Sequence, residues 1–357
     1  MHGRLWMIAV LALAGLQAAA QTVPTPAASA ARDLPAVVVS GELPGPGLWK
    51  VSKDGHVLWI LGTLAPLPKK MAWSARQVTA VELASQAVLR PPGIALHAKL
   101  GFFGTLLLLP RLIGIRDDPG GRRLAQVLPP PLYARWQTLK AQYLGRDRGV
   151  EKYRPIFAGL KLYQAAIKRA GLDDRDVARK RVEKLARQHD IPLVKTDYVV
   201  AIADPKAALK SFRHGSMDDL ACFGQMLDRV EYGVPNMQAR ANAWATGDID
   251  TLARLPRDHA GQACADALSG AAFARQQGLD DLPEKLARSW MAAAVQALAQ
   301  HRSTLALLPM RDLLAPDGYL ARLRAGGYTV ESPGAQDASP ADAGSAASPA
   351  APASVTR

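Results

Sequence analysis

The order of predicted elements in this 357-residue chain indicates an α+β fold with a small β-sheet and many helices. Near the start, apolar runs at 48–51 and 57–61 flank Asp54-Gly55, a pair typical of tight hairpin turns. Further short apolar strands are predicted at 304–308 and 328–330. Most of the chain between them has helical periodicity. Strands near both ends with helices between them are expected to form one domain.

The first twenty residues have the three parts of a secretory signal peptide. Arg4 makes the start basic, 5–16 is apolar, and Ala18-Ala19-Ala20 offers a cleavage site. The alternative, a membrane anchor, needs a longer apolar run. We therefore predict an exported, periplasmic protein without a transmembrane span once the signal is removed. Its predicted parts are a signal peptide at 1–20, a Pro/Ala-rich leader at 21–46, a folded domain at 47–331 and a disordered tail at 332–357.

The net charge of +13 limits the partners that suit this chain. A basic excess suits an acidic peptide, an anionic polysaccharide or an envelope lipid. Nucleic acid is not expected, because the protein is predicted to be exported and has no surface of alternating aromatic and basic residues. A solvated basic face is the ordinary alternative.

The chain has two cysteines, Cys222 and Cys264, and both lie in predicted helices. An even number in an oxidising compartment predicts a disulfide, which would close a loop of about forty residues. Two buried thiols are the alternative.

The segment after the hairpin holds the first candidate site. The second hairpin strand leads into Gly62-Thr63-Leu64-Ala65, a loop at a strand end, where folds often place functional residues. Ser74 is the expected N-cap of a helix at about 75–85. The apolar strand 87–89 then ends at Arg90.

This succession of hairpin, Gly-Thr loop, helix and strand resembles the start of the TraB/GumN family, which is related to Tiki-type metalloproteases. A second resemblance lies at 305–328, where Pro316-Asp317-Gly318 leads into a helix that ends in Arg324-Ala325-Gly326-Gly327-Tyr328. The resemblance implies a small central sheet, built from the N-terminal hairpin and the C-terminal strands and surrounded by helices. It also implies a divalent-metal hydrolase centre, formed by two Gly-x-x-His motifs and a Glu.

Three motif positions depart from the family pattern. Ala65 stands at the first His, Arg90 at the Glu and Asp312 at the second His. A methyl group has no lone pair, and a guanidinium is a permanent cation without an acceptor. One remaining carboxylate does not hold a transition metal well. The resemblance therefore implies a pseudoenzyme with no catalytic residue retained, no metal and no other cofactor.

The expected function is binding of an envelope protein, an acidic peptide or a polysaccharide in the former active-site cleft. Asp197 follows a segment that resembles a Leu-Glu-Thr motif of the family, and Arg288 lies in a helix that resembles its Arg-Asn-x-x-Met motif. The candidate ligand-binding residues are Gly62, Thr63, Arg90, Asp197, Arg288 and Asp312.

Two alternatives from other classes stay open. The first is an active metal-dependent peptidase with relocated ligands such as Asp312, Asp197 and His56. The second is a structural factor associated with exopolysaccharide, suggested by the family's name. The apolar stretch of about ten residues between Lys99 and Pro110 is predicted to be a buried helix, with a membrane-surface contact or a partner groove as its alternative.

Overall fold

The computed structural model describes residues 45–98, 109–256 and 260–334. The predicted signal peptide, nearly all of the leader and the tail beyond residue 334 lie outside these ranges. The described strands are β1 Leu48–Lys53, β2 His56–Thr63, β3 Leu67–Pro68, β4 Val88–Leu89, β5 Ile94–Ala98, β6 Leu172–Asp173, β7 Leu193–Val194, β8 Tyr198–Ile202, β9 Ser303–Pro309 and β10 Thr329–Glu331.

Fourteen α-helices lie within the described ranges. They are α1 Arg76–Leu83, α2 Leu124–Val127, α3 Pro130–Tyr143, α4 Pro155–Arg169, α5 Val177–Gln188, α6 Pro205–His214, α7 Leu220–Asp228, α8 Met237–Thr246, α9 Ile249–Arg254, α10 Ala260–Gly270, α11 Ala272–Gln276, α12 Leu282–Gln300, α13 Met310–Leu313 and α14 Tyr319–Ala325. In this part of the chain, no helix is both long and apolar enough to cross a membrane.

The centre of the fold is a six-stranded mixed sheet with the order β10-β1-β2-β9-β4-β7. β10, β1 and β2 are antiparallel, whereas β2, β9, β4 and β7 run parallel to one another. Asp54 and Gly55 have φ angles of 50° and 80°, as the predicted hairpin turn requires. The α+β class and the sheet built from the N-terminal hairpin and the C-terminal strands are confirmed.

The helices pack around two hydrophobic cores. The first lies around the six-stranded sheet and includes buried residues of α1, α5, α8 and α12. The second lies between α3, α4 and α7 and extends to α10. Cys222 of α7 and Cys264 of α10 form a disulfide with a Cα–Cα distance of 4.5 Å, so the predicted bridge is confirmed.

One local prediction is wrong, and another falls almost entirely on residues outside the described ranges. Ser74 is not the N-cap of α1; Ala75 takes that position and makes no side-chain cap hydrogen bond. Ser74 is instead a buried residue of the preceding segment. The apolar run between Lys99 and Pro110, predicted as a buried helix, lies almost entirely outside the described ranges. The residues just before it form strand β5, which pairs with β8 in a two-stranded parallel sheet that was not predicted.

Candidate functional site

The carboxyl ends of the four parallel strands β2, β9, β4 and β7 meet at one edge of the sheet, which we call the carboxyl edge. The register places Thr63 beside Pro309 and Leu89 between Ala306 and Val194. Ligands of parallel sheets bind at such an edge, because the loops after the strands converge there. The segments that carry Ala65, Arg90, Asp197 and Asp312 follow β2, β4, β7 and β9, so the fold places all four at this edge.

The end of β2 is fixed by neighbours on two helices. The Gly62 carbonyl accepts a hydrogen bond of 2.8 Å from Trp244 Nε1 of α8. A Cβ atom at position 62 would lie 2.5 Å from Met310 Cε, so a larger residue there would require the Met310 side chain to move. The next residue, Thr63, is buried and hydrogen-bonds through its hydroxyl to Asp176. These contacts give Gly62 and Thr63 structural roles within the carboxyl edge.

Asp176 couples this strand end to α5. Its carboxylate accepts a 2.8 Å hydrogen bond from the backbone N–H of Arg179, so it caps the helix as an Asp in this position should. Burial raises the pKa of Asp176, and the N–H of Arg179 and the hydroxyl of Thr63 oppose that shift. The carboxyl is thus enclosed by its partners, and it acts as a structural link between α5 and β2.

The three degenerate motif positions have different environments. Ala65 is exposed. Arg90 Nε donates to Glu183 Oε1 of α5 at 2.9 Å, with 33% of the Arg90 side chain and 14% of the Glu183 side chain exposed. Asp312 lies 3.3 Å from Arg311 Nε, and burial raises the pKa of its carboxyl. Since a methyl, a paired guanidinium and one carboxyl occupy the positions, this residue set does not fit a divalent metal.

Asp197 lies where the segment after β7 contacts α12. Its backbone carbonyl accepts a 3.3 Å hydrogen bond from Ser289 Oγ. The preceding residue, Thr196, is buried and donates to the carbonyl oxygens of Arg90 and Pro91 at 2.9 Å. The structure therefore brings the backbone of Arg90, the segment of Asp197 and the first half of α12 together.

Arg288 occupies an exposed position on α12, one residue before Ser289. The pKa of Glu284 on the same helix is lowered, first by hydrogen bonds with Arg322 and to a smaller extent by the charge of Arg288. Arg90 and Arg288 thus have different acidic neighbours, Glu183 and Glu284. Arg90 contributes less net positive charge to the carboxyl edge than its sequence position alone suggests.

The structure does not bring together His56, Asp197 and Asp312, the three residues of the alternative metal site. His56 is the first residue of β2, and its Nδ1 lies 2.8 Å from the carbonyl oxygen of His301. An eight-residue strand places His56 on the order of 20 Å from Thr63, at the opposite edge from Asp197 and Asp312. Within the described ranges, no group of three or more His, Cys, Asp or Glu residues is placed to hold a metal ion.

A groove of about 590 Å³ along α1 was not predicted from the sequence. Its lining includes Trp73, Arg76, Thr79, Leu83 and Arg181 of α5. Arg181 Cζ lies 5.9 Å from the centre of the Trp73 ring, and Arg181 Nη2 lies 3.5 Å from Thr79 Oγ1. The sequence does show Arg181 in a basic helix, but only the fold reveals that Trp73 lies beside it.

The groove adjoins the first motif. Trp73 packs edge-on against Trp244, with ring centres 5.2 Å apart, and Trp244 holds the Gly62 carbonyl. An indole beside a guanidinium group, here Trp73 and Arg181, combines an aromatic surface with a cation that can pair with a carboxylate. The groove therefore has the chemistry of a site for a carboxylate-bearing ligand.

The mixed sheet, its surrounding helices and the two motif ends define an α+β protein with a parallel carboxyl edge. Residues 47–332 match the family model described as the TraB/PrgY/gumN family, and the chain belongs to this family. No curated protein and no solved structure matches the chain.

Proposed function

We propose that the protein is an exported member of the TraB/PrgY/gumN family that lacks the metal-dependent hydrolase centre and binds a carboxylate-bearing envelope ligand. The observation that carries the proposal is the residue set at the motif positions, Ala65, Arg90 and Asp312, which cannot supply a metal with its ligands. Export is supported by the basic, apolar and small-residue segments of 1–20.

The groove along α1 supports an anionic ligand. Arg76 and Arg181 line it, and Trp73 lies beside Arg181 in the same groove. Guanidinium groups pair with carboxylates through two parallel hydrogen bonds, which favours acidic peptides and polyuronates over neutral ligands. The net charge of +13 would also draw such polyanions to the protein.

Metal binding is the first test. The purified protein is assayed by elemental analysis and then titrated with manganese, cobalt and zinc in a calorimeter. We expect no stoichiometric binding of any of the three ions. One tight equivalent that is lost in Asp312→Ala, together with chelator-sensitive cleavage of peptides, would overturn the proposal and favour a hydrolase with relocated ligands.

Ligand binding is tested with alginate and poly-L-glutamate, which carry carboxylates on a sugar and on a peptide backbone. Arg181→Gln is compared with Lys184→Gln, which removes the same charge from an exposed position of α5 outside the groove lining. We expect Arg181→Gln to weaken binding about tenfold, the equivalent of a lost charge-assisted hydrogen bond. Equal effects of the two variants would show non-specific attraction and contradict a site in the groove.

Export has its own test. The mass of the protein recovered from the periplasm of a bacterial host is compared with that of the full chain. A product that begins near Gln21 is expected, because cleavage after Ala20 fits the small-residue rule. Recovery of the intact chain from the cytoplasm alone would contradict this part of the proposal.

A further inference from the structure

The parallel strands β5 and β8 form a separate two-stranded sheet that exposes several large apolar side chains to solvent. Leu96 is 65% exposed, Val199 is 59% exposed and Ile94 is 44% exposed. Parallel sheets are normally covered on both faces, because the crossover connections place helices there. This pair therefore lacks part of the cover that its class of sheet normally has.

The exposed side chains project from both faces of the pair. Ile94 and Leu96 are two residues apart in β5, so they project from the same face of the pair. Their register partners Tyr198 and Val200 project from that face too. Val199, one residue on in β8, projects from the opposite face. Val200 itself is buried. A partner protein docked on one face would leave the other open, whereas the headgroup boundary of a bilayer can receive side chains from both faces of a two-stranded sheet.

A cationic helix follows this sheet directly. α6 begins three residues after β8, and none of its residues is buried. Lys206, Lys210 and Arg213 are exposed, and their spacing of four and three residues puts them on one helix face. Pro205–His214 contains no acidic residue. Amphipathic helices with basic polar faces bind anionic lipid surfaces through such side chains.

A second apolar group lies at the other end of α6. Ile113 is 74% exposed and Leu112 is 45% exposed, in the turn before Gly114. A Cβ atom on Gly114 would lie 3.7 Å from Arg213 Nη2, so this turn adjoins the last turn of α6. Exposed apolar residues thus occur both before the cationic helix and beside its end.

We propose that this region docks on an anionic phospholipid bilayer. The docking surface consists of Ile94, Leu96, Val199, Leu112 and Ile113, with Lys206, Lys210 and Arg213 of α6 as its cations. The apolar side chains enter the boundary between headgroups and acyl chains, and the cations pair with lipid phosphates. The contact is interfacial, and it does not depend on the groove along α1.

The test is vesicle flotation with the full chain. Vesicles of phosphatidylcholine alone are compared with vesicles that also contain phosphatidylglycerol, at low and high salt. We expect binding to the anionic vesicles, weaker binding to the neutral ones, and a loss of binding as salt screens the lysines. The expected decrease is about tenfold for Leu96→Asp and about fivefold for Lys210→Gln.

Val295→Asp is the matched control, since Val295 is an exposed apolar residue of α12 outside the docking surface. Every variant carries the same N-terminal residues, so differences between them isolate the surface. Leu96→Ser is the second variant, in case Leu96→Asp does not fold. Equal binding to both vesicle types would overturn the proposal, and so would equal effects of Leu96→Asp and Val295→Asp or, with the second variant, of Leu96→Ser and Val295→Ser. A dimer that Leu96→Ser converts to a monomer without vesicles would overturn it too and make a second copy the occupant.

Discussion

Trp244 Nε1 donates a 2.8 Å hydrogen bond to the carbonyl oxygen of Gly62, and this bond fixes the end of β2 to helix α8. Trp244 is completely buried and also packs edge-on against Trp73. One side chain therefore supports both the first motif loop and the aromatic wall of the groove. The Gly62 loop keeps its position through an aromatic residue that lies 182 positions later in the chain.

The substitution Trp244→Phe tests this bond. It leaves the Gly62 carbonyl without its partner, and we expect a loss of about 1–3 kcal/mol in the free energy of unfolding, measured by urea denaturation. Trp290→Phe is the matched control, because Trp290 is equally buried and its Nε1 has no acceptor within the described ranges. Equal destabilisation by the two substitutions would show that ring volume, not the hydrogen bond, matters at Trp244.

The carboxyl of Glu82 predicts a pH-dependent stability. Burial raises its pKa from 4.5 to about 7, opposed by a hydrogen bond with the backbone of Ala186 and by the charge of Arg181. One of its oxygens, Oε1, has no partner within the described ranges. The folded state therefore binds more protons than the unfolded state between these pKa values, and stability must fall as the pH rises through that window.

Glu82→Gln should remove this pH dependence. We expect the variant to match the wild type below about pH 4.5 and to exceed its free energy of unfolding by about 3 kcal/mol above about pH 7. Urea denaturation across this range measures the effect, with Asp250→Asn at an exposed carboxyl as the control. A pH profile that keeps the wild-type slope in Glu82→Gln would refute the assignment to this carboxyl.

The parts of this fold that the sequence predicts are those set by local chemistry. Asp54-Gly55 determines a hairpin turn, and Asp176 and Asp248 cap helices through N–H groups three residues later. The β5/β8 pair was not predicted, because its pairing joins segments about a hundred residues apart and an apolar run does not distinguish a strand from a helix. Ser74 has the chemistry of an N-cap, yet tertiary packing buries it.

The candidate site also has a part that the sequence predicts and a part that only the structure reveals. Motif resemblance identified Gly62, Ala65, Arg90 and Asp312, and the parallel strands bring their segments to one edge. The partner of Arg90 could not be predicted, because Glu183 is 93 residues away in a helix whose other charges are mostly basic. The groove depends on Trp73 and Arg181, and no local pattern relates these two residues.

The ion pair of Arg90 and Glu183 should contribute to stability. Arg90→Met leaves the Glu183 carboxylate largely buried, with Arg187 Nη1, 3.8 Å away, as its remaining ion-pair partner among the described residues. We expect a loss of about 1–3 kcal/mol in the free energy of unfolding. The double variant Arg90→Met/Glu183→Gln should recover part of this loss, since it removes the stranded charge. Additive effects in this double-mutant cycle would show that the two side chains do not interact in solution.

The disulfide should stabilise the second core. Cys222 and Cys264 are 42 residues apart and connect α7 to α10, so the bridge restricts the unfolded chain. The chain-entropy model gives about 4 kcal/mol for a loop of this length. We expect Cys222→Ala/Cys264→Ala to lose about this much in urea denaturation, and a reductant to lower the wild type to the same level without changing the variant. In the fully unfolded wild type the disulfide is accessible to thiol exchange, so a reductant added there should break it. If the stability of the wild type after such treatment is unchanged, the cysteines are not bridged in solution.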